Sequence, residues 1–206
     1  VNPRPSRGAT VYDLIGRIRH QDVREHTVDR LQRRFDVDAE HGARVRATAW
    51  QLFDQVRVGW GLTDEARDLL GWAAALHEIG LSIAHSQYHK HGAYLLEYAD
   101  LPGFSRSSQT ALAALVRLHR RKANKGVLGT FRKARRKTLL RLTVLLRLAV
   151  LFNRSRDDQA VLPVDLRPHD DGLALRFGQG VLDGQPLTRA DLENEAAALL
   201  RGLDFE

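Results

Sequence analysis

The sequence predicts a mainly α-helical fold, in which a helical domain is followed by a small α+β appendage. Apolar residues recur at helical spacing from residue 22 to residue 154, and strand-like segments follow only after Asp157. We place a linker and the start of the helical domain at residues 1–20, the all-α domain at 21–157 and the αβ domain at 158–206. The apolar fraction of 43% is enough for a normal core.

Capping residues and glycines divide the first two-thirds of the chain into helices. Asp22 is the predicted N-cap of a helix whose apolar stripe ends at Phe35, and Asp38 caps a second helix that Gly59 and Gly61 should end. Gly80 is expected to stop the third helix. The third, fourth and fifth helices are predicted, in order, at Thr63 to His77, about Ser86 to Tyr98, and Ser105 or Ser107 to His119.

A long helix is predicted from about Arg132 to Arg154, after a glycine-containing loop at Asn124 to Gly129. Its leucines and valines cover most of the helix circumference. Because a helix that is apolar on all sides avoids water on all sides, we expect this helix to be central and largely buried.

The pattern changes to strands in the last part of the chain. Strands are predicted at Val161 to Leu166 and Gly172 to Phe177, and a last one at Leu203 to Glu206. A helix from Pro186 to Gly202, with Thr188 as its N-cap, lies before the last strand. Because so short a segment buries too little apolar surface to be stable alone, it should pack on the helical body.

Positive charge is concentrated in one segment. Between Leu101 and Arg156 there are 15 Lys or Arg residues and no Asp or Glu, whereas the rest of the chain holds 17 basic and 25 acidic residues. A local positive field favours a polyanionic partner. The alternative interpretation is a solvated charged face that only aids solubility.

Two clusters of basic side chains are the candidate ligands for a chain of phosphates, because Arg binds phosphate bidentately and Lys adds point charge. The glycine loop between the clusters is expected to let them approach each other. Nucleic acid is a less favoured partner, because Phe131 is the only Phe, Tyr or Trp between Arg117 and Lys137. The candidates are Arg117, Arg120, Arg121, Lys122 and Lys125 in the first cluster and Arg132, Lys133, Arg135, Arg136 and Lys137 in the second.

Composition excludes several classes of protein. With no cysteine, the chain has no disulfide, thiolate metal site or cysteine nucleophile, which is compatible with the cytoplasm. No apolar run reaches the roughly 18 residues of a membrane span, so no membrane partner is expected. Val1 to Gly16 lacks the apolar segment of a signal peptide. Because the chain begins without Met on a polar, Pro-containing stretch, we expect it to be a fragment of a longer protein.

Several histidines lie on or near the ends of predicted helices, where imidazole can serve as metal ligand or proton carrier. Their order resembles that of HD-type metal phosphohydrolases, but Glu78 stands in place of an Asp, and Asn153 ends the segment where a late Asp is expected. We interpret them as hydrogen-bonded residues of a degenerate site without metal; a working metal site is the alternative. The residues of this site are His26, His77, Glu78, His91 and His119.

His85 and His89 are separated by one helical turn and could together chelate a metal from one helix face. This spacing alone is a weak signal. We interpret both side chains as exposed or packed against a loop.

Longer motifs run through the chain: Leu76-His-Glu-Ile-Gly80, His85-Ser86, Tyr88-His-Lys-His-Gly-Ala-Tyr-Leu-Leu96, Asp100-Leu-Pro-Gly-Phe-Ser-Arg106 and His119-Arg-Arg-Lys122. Shorter ones are Tyr12 to Arg17, Asp22 to Arg24, Pro186 to Thr188 and Asp191 to Glu193. Together they closely resemble the C-terminal half of the exopolyphosphatase / guanosine pentaphosphate phosphatase family, over almost the whole chain.

The resemblance implies an HD-like helical domain and a small C-terminal domain, preceded in the whole protein by two actin-like domains that carry the catalytic cleft. Nothing in this chain resembles the phosphate-binding loops of those domains, so we expect no catalytic residue and no cofactor here. A divalent Mg or Mn ion is expected for the full-length enzyme. The resemblance also implies a homodimer and a basic path for inorganic polyphosphate or guanosine polyphosphate.

We therefore predict the polyphosphate-binding and dimerisation region of an exopolyphosphatase, which is not catalytic as an isolated fragment. The alternative is an autonomous HD-type metal-dependent phosphohydrolase that acts on a nucleotide or guanosine polyphosphate. A nucleic-acid-binding domain is a third hypothesis.

Overall fold

The computed structural model describes residues 23–121, 125–156, 163–169 and 172–202. In these residues the fold is mainly α-helical with one antiparallel hairpin, which confirms the predicted fold class. Short 3-10 turns lie at Ile79–Ser82 and Lys125–Leu128. The main elements in chain order are α1 (23–34), α2 (Ala39–Trp60), α3 (Asp64–Leu76), α4 (Tyr88–Tyr98), α5 (Arg106–Leu118), α6 (Lys133–Phe152), β1 (Val164–His169), β2 (Gly172–Phe177) and α7 (Pro186–Gly202).

Side-chain caps begin three of the helices. Asp38, Thr63 and Ser105 each accept a hydrogen bond from the backbone N–H three residues further on, at 2.8, 3.3 and 3.1 Å. Because the first N–H groups of a helix have no partner inside it, each cap stabilises the start of its helix. The predicted caps Asp38 and Thr63 are confirmed, and Ser105 is the cap of α5.

The predicted cap of α7 is wrong. The helix begins at Pro186, so Thr188 lies in its first turn, where the hydroxyl is 3.3 Å from the side-chain amide oxygen of Gln185. Proline suits the first helical position, because its fixed φ matches the helix and an N–H at that place has no partner within the helix.

The strand β1 extends to His169, three residues beyond the predicted end. Several predicted features lie outside the described residues: the linker at 1–20, the Asp22 cap, the start of the first strand at Val161 and the last strand at Leu203 to Glu206.

Helix α6 is the centre of the core, as its sequence predicts. Every residue from Leu139 to Ala149 is buried, including two arginines. One of them, Arg141, donates a hydrogen bond to the carbonyl of Trp60 at 2.8 Å. Helices α2, α3 and α5 supply most of the other buried apolar side chains.

The hairpin packs on α2, as the small size of the appendage predicts. The Gln55 side chain donates to the carbonyl of Val164 and accepts from the N–H of Leu166, and Trp60 donates to the carbonyl of His169 at 3.0 Å. These bonds satisfy backbone groups on one edge of the hairpin. None of the described helices combines the length and apolarity that crossing a membrane requires.

Candidate functional site

Four histidines meet where α3 and α5 end and where α2 and α4 begin. His77 and His119 directly follow α3 and α5, while His41 and His89 lie in the first turns of α2 and α4. The ring centroids of His41 and His77 are 5.4 Å apart, those of His77 and His119 5.4 Å, and those of His89 and His119 6.4 Å. The rings therefore form a continuous row, which we call the histidine cluster.

Glycines allow the backbones around the cluster to touch. A Cβ atom on Gly80 would lie 2.0 Å from the carbonyl oxygen of Tyr88 and 2.4 Å from the nitrogen of Gly92. A Cβ atom on Gly42 would lie 3.1 Å from the carbonyl oxygen of Ala75. Only glycine permits the first approach, which brings the start of α4 against the turn after α3. The sequence Leu76-His-Glu-Ile-Gly80 thus sets the position of α4 against His77.

The backbone fixes the tautomer of two of these rings. The Nδ1 atom of His77 is 2.7 Å from the carbonyl oxygen of Ala74, and that of His119 is 2.6 Å from the carbonyl oxygen of Val116. Because a carbonyl oxygen only accepts, each Nδ1 carries the proton and donates it. The Nε2 atoms therefore carry a lone pair, and that of His119 lies 3.4 Å from the Tyr88 hydroxyl.

Burial keeps the cluster uncharged at neutral pH. It lowers the pKa of His77 to about 4, and it lowers the pKa of His119 well below its ordinary value. Burial also lowers the pKa of His89 to about 4, with help from the positive charges of Arg117 and Arg120. The pKa of His41 is lowered for the same primary reason. Neutral imidazoles of this kind can accept a hydrogen bond or a metal ion.

Glu78 is bound by an arginine from beyond the end of α6. The Nη2 atom of Arg156 donates to both carboxylate oxygens of Glu78, at 2.7 and 2.8 Å. Its Nη1 atom donates to Asp38 at 3.0 Å. A single guanidinium therefore binds two carboxylates beside the histidine cluster, through charge-assisted hydrogen bonds.

The residues at this site do not fit a divalent metal ion. One ligand atom each from His41, His77 and Glu78 lies within 4.8 Å of the others, a spacing that suits a shared ion. However, Arg156 occupies both oxygens of the only carboxylate in this set. Asn153 is uncharged, and its amide NH₂ is bound to the Thr48 hydroxyl and the Ala149 carbonyl. A hard cation would therefore meet a guanidinium and two neutral imidazoles rather than free carboxylates.

A cleft of about 650 Å³ opens beside the cluster, between the helical body and α7. Arg120 lies over the ring of Tyr88, with its guanidinium carbon 4.5 Å from the ring centroid, and Arg121 is exposed. Arg154 is paired with Asp191 of α7. On the side of the helical body, five arginines line the cleft: Arg120, Arg121, Arg147, Arg154 and Arg156.

One further arginine of the cleft wall is a structural link. Arg147 is buried on α6, donates to the carbonyls of Leu118 and Arg121 at 2.8 and 2.9 Å, and forms a two-point ion pair with Glu195 of α7. It therefore satisfies carbonyls at the end of α5 and connects α7 to the core.

Two of the five residues of the first predicted basic cluster lie at this cleft. Arg120 and Arg121 line it, whereas Arg117 is half-buried on α5 next to a separate groove. Lys122 lies outside the described residues, and Lys125 begins a 3-10 turn.

The second predicted basic cluster borders the first on one side only: Arg117 of the first cluster shares a groove with Thr130, two residues before Arg132. Arg132, Lys133, Arg136 and Lys137 are exposed around the start of α6, and Arg135 is 3.5 Å from Glu65. Arg121 of the first cluster contacts α6 at Arg147, which is 14 residues after Lys133. At about 1.5 Å per residue this is roughly 21 Å along the helix axis. The length of α6 therefore separates Arg121 from Lys133, whereas Arg117 lies near the start of the second cluster.

Two members of the histidine cluster were missed in the sequence. Of the predicted set, His77, Glu78 and His119 lie at the cluster, whereas His26 is exposed on α1 and His91 is half-buried on α4. His85 is exposed and His89 is only 6% exposed, so the first alternative of the interpretation, an exposed side chain, holds for His85 but not for His89.

Helical periodicity is the signal that identifies the two missed histidines. His89 shares its buried face with Gly92, Ala93 and Leu96, and His41 shares one with Val45, Thr48, Ala49 and Leu52. Both therefore fall on apolar stripes of their helices.

Comparisons with known proteins find a match over most of the chain. The family model described as Ppx/GppA phosphatase, domain III, matches residues 23–196. A guanosine-5'-triphosphate,3'-diphosphate pyrophosphatase of Photobacterium profundum is 34% identical over 190 residues. The alignment covers 92% of this chain and 38% of that relative, so the chain spans well under half of the relative's length.

Proposed function

Because the chain belongs to the Ppx/GppA phosphatase family, as its domain III, we propose that it is the region of a phosphatase that binds inorganic polyphosphate or guanosine polyphosphate and forms a dimer. Catalysis takes place in other domains of the whole protein, where a Mg or Mn ion takes part, and the protein acts in the cytoplasm. The relative from Photobacterium is named as a pyrophosphatase of a guanosine phosphate, which supports this substrate class.

The observation that carries the proposal is the pair Arg120 and Arg121 at the cleft. Arg147, Arg154 and Arg156 each have a carboxylate partner. None of the ion pairs among the described parts of the chain uses Arg120 or Arg121, and the acid-free segment around them supplies no competing carboxylate. Two guanidinium groups without carboxylate partners suit phosphates, which they bind through paired N–H donors.

Binding of long-chain polyphosphate at several salt concentrations tests the site. Arg120→Ala/Arg121→Ala should weaken binding at least tenfold and flatten its salt dependence, because fewer counterions are released from the polyanion. Arg33→Ala/Arg34→Ala, which removes two exposed charges from α1, is the matched control. Equal losses in both double variants would reject the site. Stronger competition by duplex DNA than by polyphosphate at matched charge would favour a nucleic-acid-binding domain.

Phosphate release separates the proposal from an autonomous HD-type phosphohydrolase, which the spacing of His41, His77 and Glu78 favours. The chain is incubated with long-chain polyphosphate or guanosine pentaphosphate, with and without Mn²⁺ or Mg²⁺. We expect no release. Metal-dependent release that His77→Ala abolishes would establish the second function.

The mass of the chain in solution tests dimer formation. Sedimentation over a range of concentrations should give a dimer of the 23.2 kDa chain. A monomer at every concentration would remove dimerisation from the proposed role and leave the binding role in place.

A further inference from the structure

We infer that Arg156 is a built-in cation that occupies the metal position of the histidine cluster and excludes a divalent ion from it. His41, His77 and Glu78 are arranged at metal-ligand spacing, with ligand atoms within 4.8 Å of one another. The guanidinium of Arg156 binds the carboxylate of this set through both of its oxygens. This inference goes beyond the proposed function, which concerns phosphate binding by Arg120 and Arg121.

The contacts of Arg156 are those expected of a replacement for a metal ion. It bridges Glu78, which follows α3, and Asp38, the N-cap of α2, so that one positive group joins two carboxylates from different helices. Its own backbone carbonyl accepts a hydrogen bond from Arg44 of α2 at 3.3 Å. A bound ion joins separate elements in the same way, through ligands that each element supplies.

Charge supports the same position for the guanidinium. The guanidinium is bound to Glu78, which directly follows His77, and to Asp38, the N-cap of the helix that carries His41. A divalent ion placed there would be repelled by the same charge and would compete with Arg156 for Glu78.

The rest of the site is adapted to a single positive charge. Asn153 carries no charge, and its amide NH₂ is bound to Thr48 and to the Ala149 carbonyl. Glu78 is the only carboxylate in the three-residue ligand set, and Arg156 satisfies it.

The backbone at Arg156 makes a clean test possible. Its φ is 58°, in the left-handed region that favours glycine. Arg156→Gly therefore removes the guanidinium and relieves backbone strain, so the variant should fold. Arg156→Asn is a second variant, because asparagine also tolerates this conformation. Circular dichroism and thermal unfolding check that both variants are folded.

The experiment titrates Zn²⁺ and Mn²⁺ into the wild-type chain and its variants by calorimetry, in a buffer without phosphate. We expect Arg156→Gly to bind one equivalent at least tenfold more tightly than the wild type, and Arg156→Gly/His77→Ala to lose this binding. Arg154→Ala, which removes a neighbouring arginine paired with Asp191, should behave as the wild type.

Two results would overturn the inference. One is a single metal site in the wild type that is as tight as in Arg156→Gly and depends on His77. The other is the lack of any His77-dependent site in folded Arg156→Gly and Arg156→Asn. The titration uses no phosphate compound, so neither result bears on polyphosphate binding at Arg120 and Arg121. That binding is measured separately, with the Arg120→Ala/Arg121→Ala variant.

Discussion

The two ends of α6 carry arginines in very different surroundings. Around its start, Arg132 and Arg136 are exposed. Towards and beyond its end, Arg147 and Arg156 are bound to carboxylates of α7 and of the segment after α3. The residue type is the same, but only the second group lies where several elements converge. The comparison shows that the position of an arginine in the fold decides whether it stabilises the structure or only adds surface charge.

The largest expected difference between the two ends is in stability. Arg147→Ala would leave Glu195 and two carbonyls at the end of α5 without their buried partner. Breaking a buried pair from one side costs about 3–5 kcal/mol. Urea unfolding, monitored by circular dichroism, should show this loss of unfolding free energy. A loss below about 1 kcal/mol would mean that water replaces the arginine without penalty.

Gly80→Ala tests the close approach of backbones at the histidine cluster. The added Cβ would lie 2.0 Å from the Tyr88 carbonyl oxygen, so the start of α4 must move. Overpacking of this kind costs roughly 1–3 kcal/mol. Gly184→Ala is the control, because nothing lies within 4 Å of its Cβ. Equal unfolding free energies for the two variants would contradict the tight packing.

Acid should weaken the cluster end and spare the basic end. The pKa of His77 is lowered from 6.5 to about 4 by burial, so between these pH values the unfolded chain binds a proton that the folded chain does not. Stability is therefore fully present above about pH 6.5 and falls as the pH drops towards 4, by at most about 1.4 kcal/mol per pH unit for this group.

Urea unfolding at pH 7, 6 and 5 measures this slope. His77→Gln should reduce it, and His85→Gln, at an exposed position, should leave it unchanged. The same slope in all three proteins would show that His77 titrates normally in the folded state.

The smallest effect is expected at the start of α6. Lys137 is exposed, so Lys137→Ala should change the free energy of unfolding by no more than about 0.5 kcal/mol. Urea unfolding of Lys137→Ala, measured together with that of Arg147→Ala, checks this. A loss above about 1 kcal/mol would mean that the basic cluster at this end is also structural.

The sequence by itself determined the helices and the central place of α6. Caps such as Asp38 and Thr63 act on backbone groups three residues away, and the apolar pattern of α6 repeats every turn, so both signals are local. The same periodicity contains His41 and His89, whose buried positions are visible in the stripes of α2 and α4.

The tertiary structure alone decided which charged groups meet. Arg156 and Glu78 are 78 residues apart in the sequence, and Arg147 and Glu195 are 48 apart. Arg121 and Lys133 are 12 residues apart in the sequence, but Arg121 contacts α6 at Arg147, roughly 21 Å along the helix axis from Lys133. Pairing of this kind depends on how whole helices pack, and no local pattern of residues encodes that distance. Helix packing brings Arg156 to the histidine cluster. The same packing buries the imidazoles, and burial keeps them neutral.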